Sequence, residues 1–289
     1  MKNVIGHELC PELMERLGIQ LKTEETKKDT ATLQERLQKN GKLMGSLEEA
    51  IKAAGLKDGM TISFHHHFRD GDYVLNDVVK KISEMGYKDI TVASSSLSNA
   101  HGPLVQYIKD GTITALQSSG CRGKLADAIS KCEVELKQPM IFRSHGGRAS
   151  AIANGTLHID IAFMGVASCD ALGNASGTNE EGRSMCGSLG YAKVDARYAD
   201  KVILLTEKLA QYPNLPASIP ATDVDYVVQV EAIGDSSKIS SGATRYTKNP
   251  RDLLIAESAA KAIIASGYFN DHFSIQTGSG GAALAVTRF

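Results

Sequence analysis

The sequence lacks an excess of charge of either sign. Its 289 residues carry 32 lysines and arginines against 33 aspartates and glutamates. No global positive field therefore draws the chain onto nucleic acid or anionic lipid, and any anion site has to be local. Cysteine is scarce: Cys10, Cys121, Cys132, Cys169 and Cys186 are odd in number, scattered, and never spaced as CxxC. That argues against a disulfide framework or a zinc ribbon, and no metal site is expected. Long hydrophobic runs are missing too. No stretch reaches the roughly 18 apolar residues of a membrane span, and the opening MKNVIGHELCPELMERLG has no apolar signal-peptide core. The expectation is a cytoplasmic protein that engages neither nucleic acid nor membrane. The balance of 42% hydrophobic and 22% charged residues is that of a chain able to bury a core.

Residues 20 to 44 are polar and charged, with no bulky apolar residue between Leu21 and Leu33, and read as a linker or solvated helix. From Ser46 the pattern changes. Ser46 and Glu49 form a capping box, and Leu47, Ala50, Ile51 and Ala54 recur at helical spacing up to Gly55. Beyond it MTISF, DITVASS, TITALQ, MIFRS, IDIAFMGV, KVILLT and DYVVQV read as short strands, several of them separated by helical patterns such as Tyr73 to Met85. Strands alternating with helices imply an α/β fold: a layered, open, mainly parallel sheet with helices on both faces. Asn249 and Pro250 open a helix that ends before Gly267. HFSIQT then reads as a last strand, followed by a GSGG turn and AALAVTRF as the start of another helix.

Several motifs could carry chemistry. In SFHHHFRDGDYVLN (63 to 76) a strand ends in His65, His66 and His67. Neighbours on a strand point to opposite faces, so at most His65 and His67 share a side. They either pack at a strand end or, helped by Arg69, grip an anion. In RSHGGRASAIANG (143 to 155), His145 and Arg148 flank Gly146 and Gly147 before a helix. This is a tight turn, or a carboxylate site in which glycine allows close approach to free N–H groups. Asp170, in a turn of small residues, has the spacing of a structural acceptor for backbone N–H groups. Cys169 and Cys186 have no adjacent base to mark them as nucleophiles. The QTGSGG turn, with Gly278 and Gly280, is a weak signal alone. Arg122 in SSGCRGKLAD is a surface charge or an anion contact.

These segments, together with SSSLSNAHGPLVQYIKDG, CGSLGYAKVDARYA and KISSGATRYTKNPRDLLIA, closely resemble the alpha subunits of bacterial citrate lyase, and more distantly the coenzyme A transferases. The resemblance covers nearly all of the chain from Ser46. It implies a coenzyme A transferase-like domain over residues 46–289, preceded by an extension and linker at 1–45, with the second transferase domain of the family lying beyond Phe289.

The implied activity is transfer: an acetyl thioester on an acyl carrier protein exchanges with citrate to give a citryl thioester and acetate. The implied partners are citrate, acetate, the acyl carrier (gamma) subunit, the citryl lyase (beta) subunit and further copies in a homo-oligomer. No cofactor is covalently bound. The enzyme acts on the coenzyme A-like arm of the carrier, and Mg2+ could enter as a citrate complex. Citrate would be held by His65, His67, Arg69, His145 and Arg148, and oxyanions by N–H groups at Gly146, Gly147, Gly278 and Gly280. Coenzyme A transferases carry a nucleophilic glutamate where this chain has Gly278, so no covalent relay is implied. Competing readings are a short-chain acyl-CoA transferase or hydrolase, a sugar-phosphate isomerase, and a ligand-binding fragment inactive without its second half.

Overall fold

The structure is a computed structural model that describes residues 8, 10–16, 18, 41–178, 186, 189–239, 246–278 and 280–289. The chain divides into two units, 1–40 and 41–289. In the first, the helix α1 (Pro11–Arg16) buries no side chain, and positions 20–40 of the expected linker lie outside the described residues. The second unit begins at Gly41. Its first element is the strand β1 (Leu43–Met44), too short to leave a period in the sequence. Helix α2 (Leu47–Ala54) follows, capped as expected: Ser46 Oγ accepts from the Glu49 N–H at 3.1 Å. The return bond from the Glu49 carboxylate goes to the Gly45 N–H at 3.0 Å, one residue before the cap.

The chain then runs through β2 (Thr61–Phe64), α3 (Val74–Glu84), β3 (Ile90–Ser94), α4 (Leu104–Lys109), β4 (Ile113–Ser118), α5 (Gly123–Ser130), β5 (Ile141–Phe142), α6 (His145–Ala153) and β6 (Ile161–Val166). A small antiparallel pair, β7 (Ser168–Cys169) and β8 (Ala175–Ser176), precedes α7 (Lys193–Tyr198), β9 (Lys201–Thr206) and β10 (Tyr226–Gln229). Eight strands form one sheet in the order β1-β10-β9-β6-β2-β3-β4-β5, parallel at every pairing. All six residues of β6 are buried, which requires cover on both faces of the sheet there, as expected of parallel sheets. Gly165 shows how close that cover lies, because a Cβ at this position would meet Val74 Cγ2 at 2.8 Å.

Helix α8 (Pro250–Ala265) has the Asn249 cap and the proline in its first turn that the sequence predicts. The expected strand HFSIQT does not form: residues 272–277 have no regular structure, and His272, Ser274, Ile275 and Gln276 are exposed. A strand exists by pairing, and neither sheet edge, β1 or β5, pairs with this segment. The helix α9 (Gly281–Ala285) then begins after Gly280.

Gly165→Ala should force α3 away from β6 and destabilise the protein by about 1–3 kcal/mol, the usual range for overpacking a filled core. Chemical denaturation checks it, and an unchanged midpoint would contradict the packing described.

Candidate functional site

Strand β2 sits where the sheet changes direction. β3, β4 and β5 extend from one side of it, and β6, β9, β10 and β1 from the other. Connections leaving β2 and β6 therefore part at their carboxyl ends, where open α/β sheets take ligands. The histidine motif leaves β2 at that point. His65 and His67 do share a side, with rings stacked at 5.5 Å between centroids, while His66 turns away so that its Nδ1 lies 2.5 Å from Ser95 Oγ. Tyr191 closes the group, edge-on to His65 at 5.5 Å and beside His145 at 5.4 Å. Its hydroxyl donates to the His145 carbonyl at 2.8 Å.

Beneath these rings lies Asp195, fully buried on α7. Its two oxygens accept from both terminal nitrogens of Arg148, at 2.8 and 2.6 Å. Its Oδ1 also stands 3.2 Å from His65 Nε2. Burial pushes the Asp195 carboxyl up, but His65 and Arg148 outweigh that and hold it well below the usual carboxylate range. Arg148 donates further to the Ala93 carbonyl at 3.0 Å and is 1% exposed. This corrects the expectation that Arg148 meets substrate: its terminal nitrogens bind Asp195 and the end of β3, so it organises the site from below. Burial, and then the neighbouring imidazoles, push His66 and His67 down to about 3. Both are neutral at pH 7.

Helix α6 brings His145 to the group. Ser144 Oγ accepts from the Gly147 N–H at 3.0 Å, so Gly147 is not the free oxyanion donor that its position in the motif suggests. Among the described residues no hydrogen bond takes the N–H of His145 or Gly146, the first residues of the helix, where anions are favoured. His67 Nε2, buried in the same cluster, also lacks a hydrogen-bond partner. Arg69, half-buried, starts a short 3-10 turn at φ 53 in the loop after His67, and the Ser98 hydroxyl donates to its carbonyl at 3.1 Å. Gly278 and Gly280 are exposed, and among the described residues no hydrogen bond or ring contact joins them to the histidines. Asp170 is structural as expected, accepting from the Leu172, Asn174 and Asn214 N–H groups and from Asn174 Nδ2. Burial raises the Cys169 thiol to about 12 and the Cys186 thiol to about 11, which leaves neither as a thiolate nucleophile at neutral pH. Arg122 is exposed before α5.

A family model described as citrate lyase, alpha subunit, matches residues 40–289. The chain belongs to the citrate lyase alpha subunit family. The citrate lyase alpha chain of Haemophilus influenzae is 59% identical over 254 residues, which span 88% of this chain and 50% of that protein. A Streptococcus mutans protein assigned as the alpha subunit of citrate lyase, solved in complex with citrate, is 59% identical with a TM-score of 0.76. That match covers 86% of this chain and 48% of the other. An acyl-CoA transferase from Escherichia coli O157:H7 shares the fold, with a TM-score of 0.51 at 14% identity over 82% of this chain and 55% of its own. The chain thus spans about half the length of the citrate lyase alpha chains it matches.

Asp195, Tyr191 and Ser95 are parts of the cluster that sequence reasoning missed. Asp195 falls between Ala192 and Ala196, which the structure buries with it, where an unpaired carboxylate is costly; the sequence alone does not show that burial. The pairing partner, 47 residues earlier, leaves no local trace.

Arg148→Ala would strand the Asp195 carboxylate in the interior and should cost about 3–5 kcal/mol. Lysine at 148 should recover only part of it, because an ammonium cannot match the two-pronged contact. Urea denaturation of the two variants reads the difference. Acid should act through His66 and His67. Below about pH 6.5 the unfolded chain protonates both while the folded chain does not until about pH 3. The unfolded state then binds more protons and stability falls as pH drops through that window. Each histidine contributes at most about 1.4 kcal/mol per pH unit. His67→Gln should flatten the pH dependence of the denaturation midpoint; an unchanged slope would mean that His67 protonates freely.

Proposed function

We propose that the chain is the citrate-binding half of an acyltransferase that exchanges acetyl for citryl on a carrier-bound thioester. The observation that carries this reading is the set of unsatisfied donors at the switch point. Buried polar atoms are nearly always hydrogen-bonded. Here His67 Nε2 goes unpaired in the same cluster as the open N–H groups of His145 and Gly146. A carboxylate-rich ligand would satisfy them together. The citrate complex of the 59% identical Streptococcus mutans protein supports citrate as that ligand. His66 and His67 would meet it as neutral imidazoles, with Arg69 and the α6 dipole contributing positive potential.

The chemistry needs no enzyme carboxylate in this reading. A citrate carboxylate attacks the acetyl thioester, the thiolate leaves, and an acetyl-citryl anhydride forms. The thiolate then attacks the citryl carbonyl and releases acetate. Two successive oxyanions need donors, for which Gly146 on this half and Gly278 and Gly280 at the later turn are the candidates. Gly278 leaves space where a coenzyme A transferase would place its glutamate. The carrier's coenzyme A-like arm, the acyl carrier and citryl lyase subunits, a homo-oligomer, a cytoplasmic setting and Mg2+ arriving with citrate complete the reading.

Calorimetric titration of citrate into the chain tests it. Binding should be measurable, and Arg69→Ala should weaken it by about 1.5–3 kcal/mol, the range for a hydrogen bond to a charged group, with little change in melting temperature. The chain alone should turn over acetyl carrier slowly or not at all, and peptide mass analysis of the completed enzyme should find no acylated Asp or Glu. Absence of citrate binding at millimolar concentration would overturn the proposal.

A further inference from the structure

Ser95 fixes which nitrogen of His66 carries the proton. The serine follows β3 and is 1% exposed. Its N–H donates to the Phe64 carbonyl at 3.0 Å and its carbonyl accepts from the Ser119 hydroxyl, so it is held beside the end of β2. Its Oγ accepts the His66 backbone N–H at 3.2 Å and lies 2.5 Å from the ring Nδ1. Among the described residues no other hydrogen bond involves that oxygen. A buried hydroxyl proton needs an acceptor, and Nδ1 is the one within reach. Nδ1 therefore accepts, and the proton of the neutral imidazole sits on Nε2. The ring is neutral at pH 7: burial first, then the neighbouring His65, His145, Arg69 and His101, all acting in the same direction, push it down to about 3. Its Nε2 takes no hydrogen bond among the described residues, and the ring is only half-buried, so that nitrogen is open to a ligand. The ring meets that of His145 edge-on at 6.2 Å, at the first turn of α6, where the N–H groups of His145 and Gly146 are also untaken.

We propose that His66 is a catalytic residue of the acyl exchange: its Nε2–H, oriented by Ser95, donates to the thioester carbonyl oxygen as that oxygen becomes an oxyanion, alongside the first N–H groups of α6. The assignment rests on the transferase reading. When a citrate carboxylate oxygen attacks the thioester carbon, the π pair of the carbonyl moves onto its oxygen. Collapse returns the pair and expels the thiolate, and no proton leaves His66 in either step. A neutral donor binds a neutral carbonyl weakly and an oxyanion strongly, so it acts in the transition state. An imidazolium would grip the carboxylates of citrate in the ground state as well, which raises affinity rather than rate. Burial of Ser95 and the low basicity of His66 argue against the other use of such a pair, a serine nucleophile with a histidine base.

Nitrogen-15 NMR of the chain labelled in its imidazoles reads the tautomer directly. His66 should show a bare Nδ1 and a protonated Nε2, unchanged between about pH 5 and 8, and Ser95→Ala should mix the two tautomers. In the completed enzyme, His66→Ala should lower kcat for acetyl-to-citryl exchange about 10²–10³-fold, the usual loss for one oxyanion donor, with citrate affinity unchanged. His66→Gln, whose amide places an N–H near the position of Nε2, should recover at least about tenfold of that loss. Ser95→Ala, with the ring intact, should lower kcat by less than His66→Ala does. The inference is overturned by a proton on Nδ1, by titration of His66 near its ordinary value, or by an alanine variant as fast as the parent. It is equally overturned by a loss that appears in citrate affinity instead of kcat, by a glutamine variant as slow as alanine, or by an acyl group found on Ser95. A parent enzyme without exchange activity would overturn the transferase reading and this role with it, whereas an active parent with an unaffected His66→Ala overturns this role alone.

Discussion

Everything at the histidine cluster hangs on one buried carboxylate. Asp195 on α7 accepts both terminal nitrogens of Arg148 on α6, stands against His65 at the end of β2, and through Arg148 reaches the carbonyl at Ala93 in β3. Two helices and two adjacent strands are therefore joined at a single charge. Replacing such a pair with apolar residues is often neutral or stabilising in other proteins, so its presence here is weak evidence for stability. Its effect on geometry is stronger. The two-pronged contact fixes the guanidinium plane, and the guanidinium in turn lies 6.0 Å from the Tyr191 ring, which borders His65 and His145. Loss of the ion pair would loosen the ring arrangement along with the fold.

The same arrangement sets the electrostatics. Arg148 and Asp195 cancel one another below the rings, and burial keeps His66 and His67 neutral. The cluster thus offers dipoles and N–H groups rather than a dense positive charge. That suits a small polycarboxylate, which needs several directional donors at once and loses a large hydration shell on binding. The first turn of α6 is well placed to contribute, because Ser144 caps the Gly147 N–H and leaves those of His145 and Gly146 free. Gly146 and Gly147 carry no side chain that would hold a ligand off the helix end.

Local physics made most of the fold legible from sequence. The caps at Ser46 and Asn249 depend on residues a few positions apart, and the buried parallel strands announced themselves as apolar runs. Strand alternation allowed at most His65 and His67 to share a side; β2 ends at Phe64, one residue before them, and their rings nevertheless stack. What depends on distant partners was not legible. Arg148 looked like a ligand because arginine beside two glycines before a helix has that chemistry, and only the fold reveals the carboxylate facing it. β1 is two residues long and exists through its pairing with β10. Gly147 looked like a free donor because the sequence does not say which serine oxygen caps the helix.

HFSIQT shows the same dependence from the other direction. Its alternating apolar and polar residues meet the period of a strand, yet propensity cannot substitute for a hydrogen-bonding neighbour, since the backbone groups of a lone strand find better partners in water. The core within residues 41–239 closes without it.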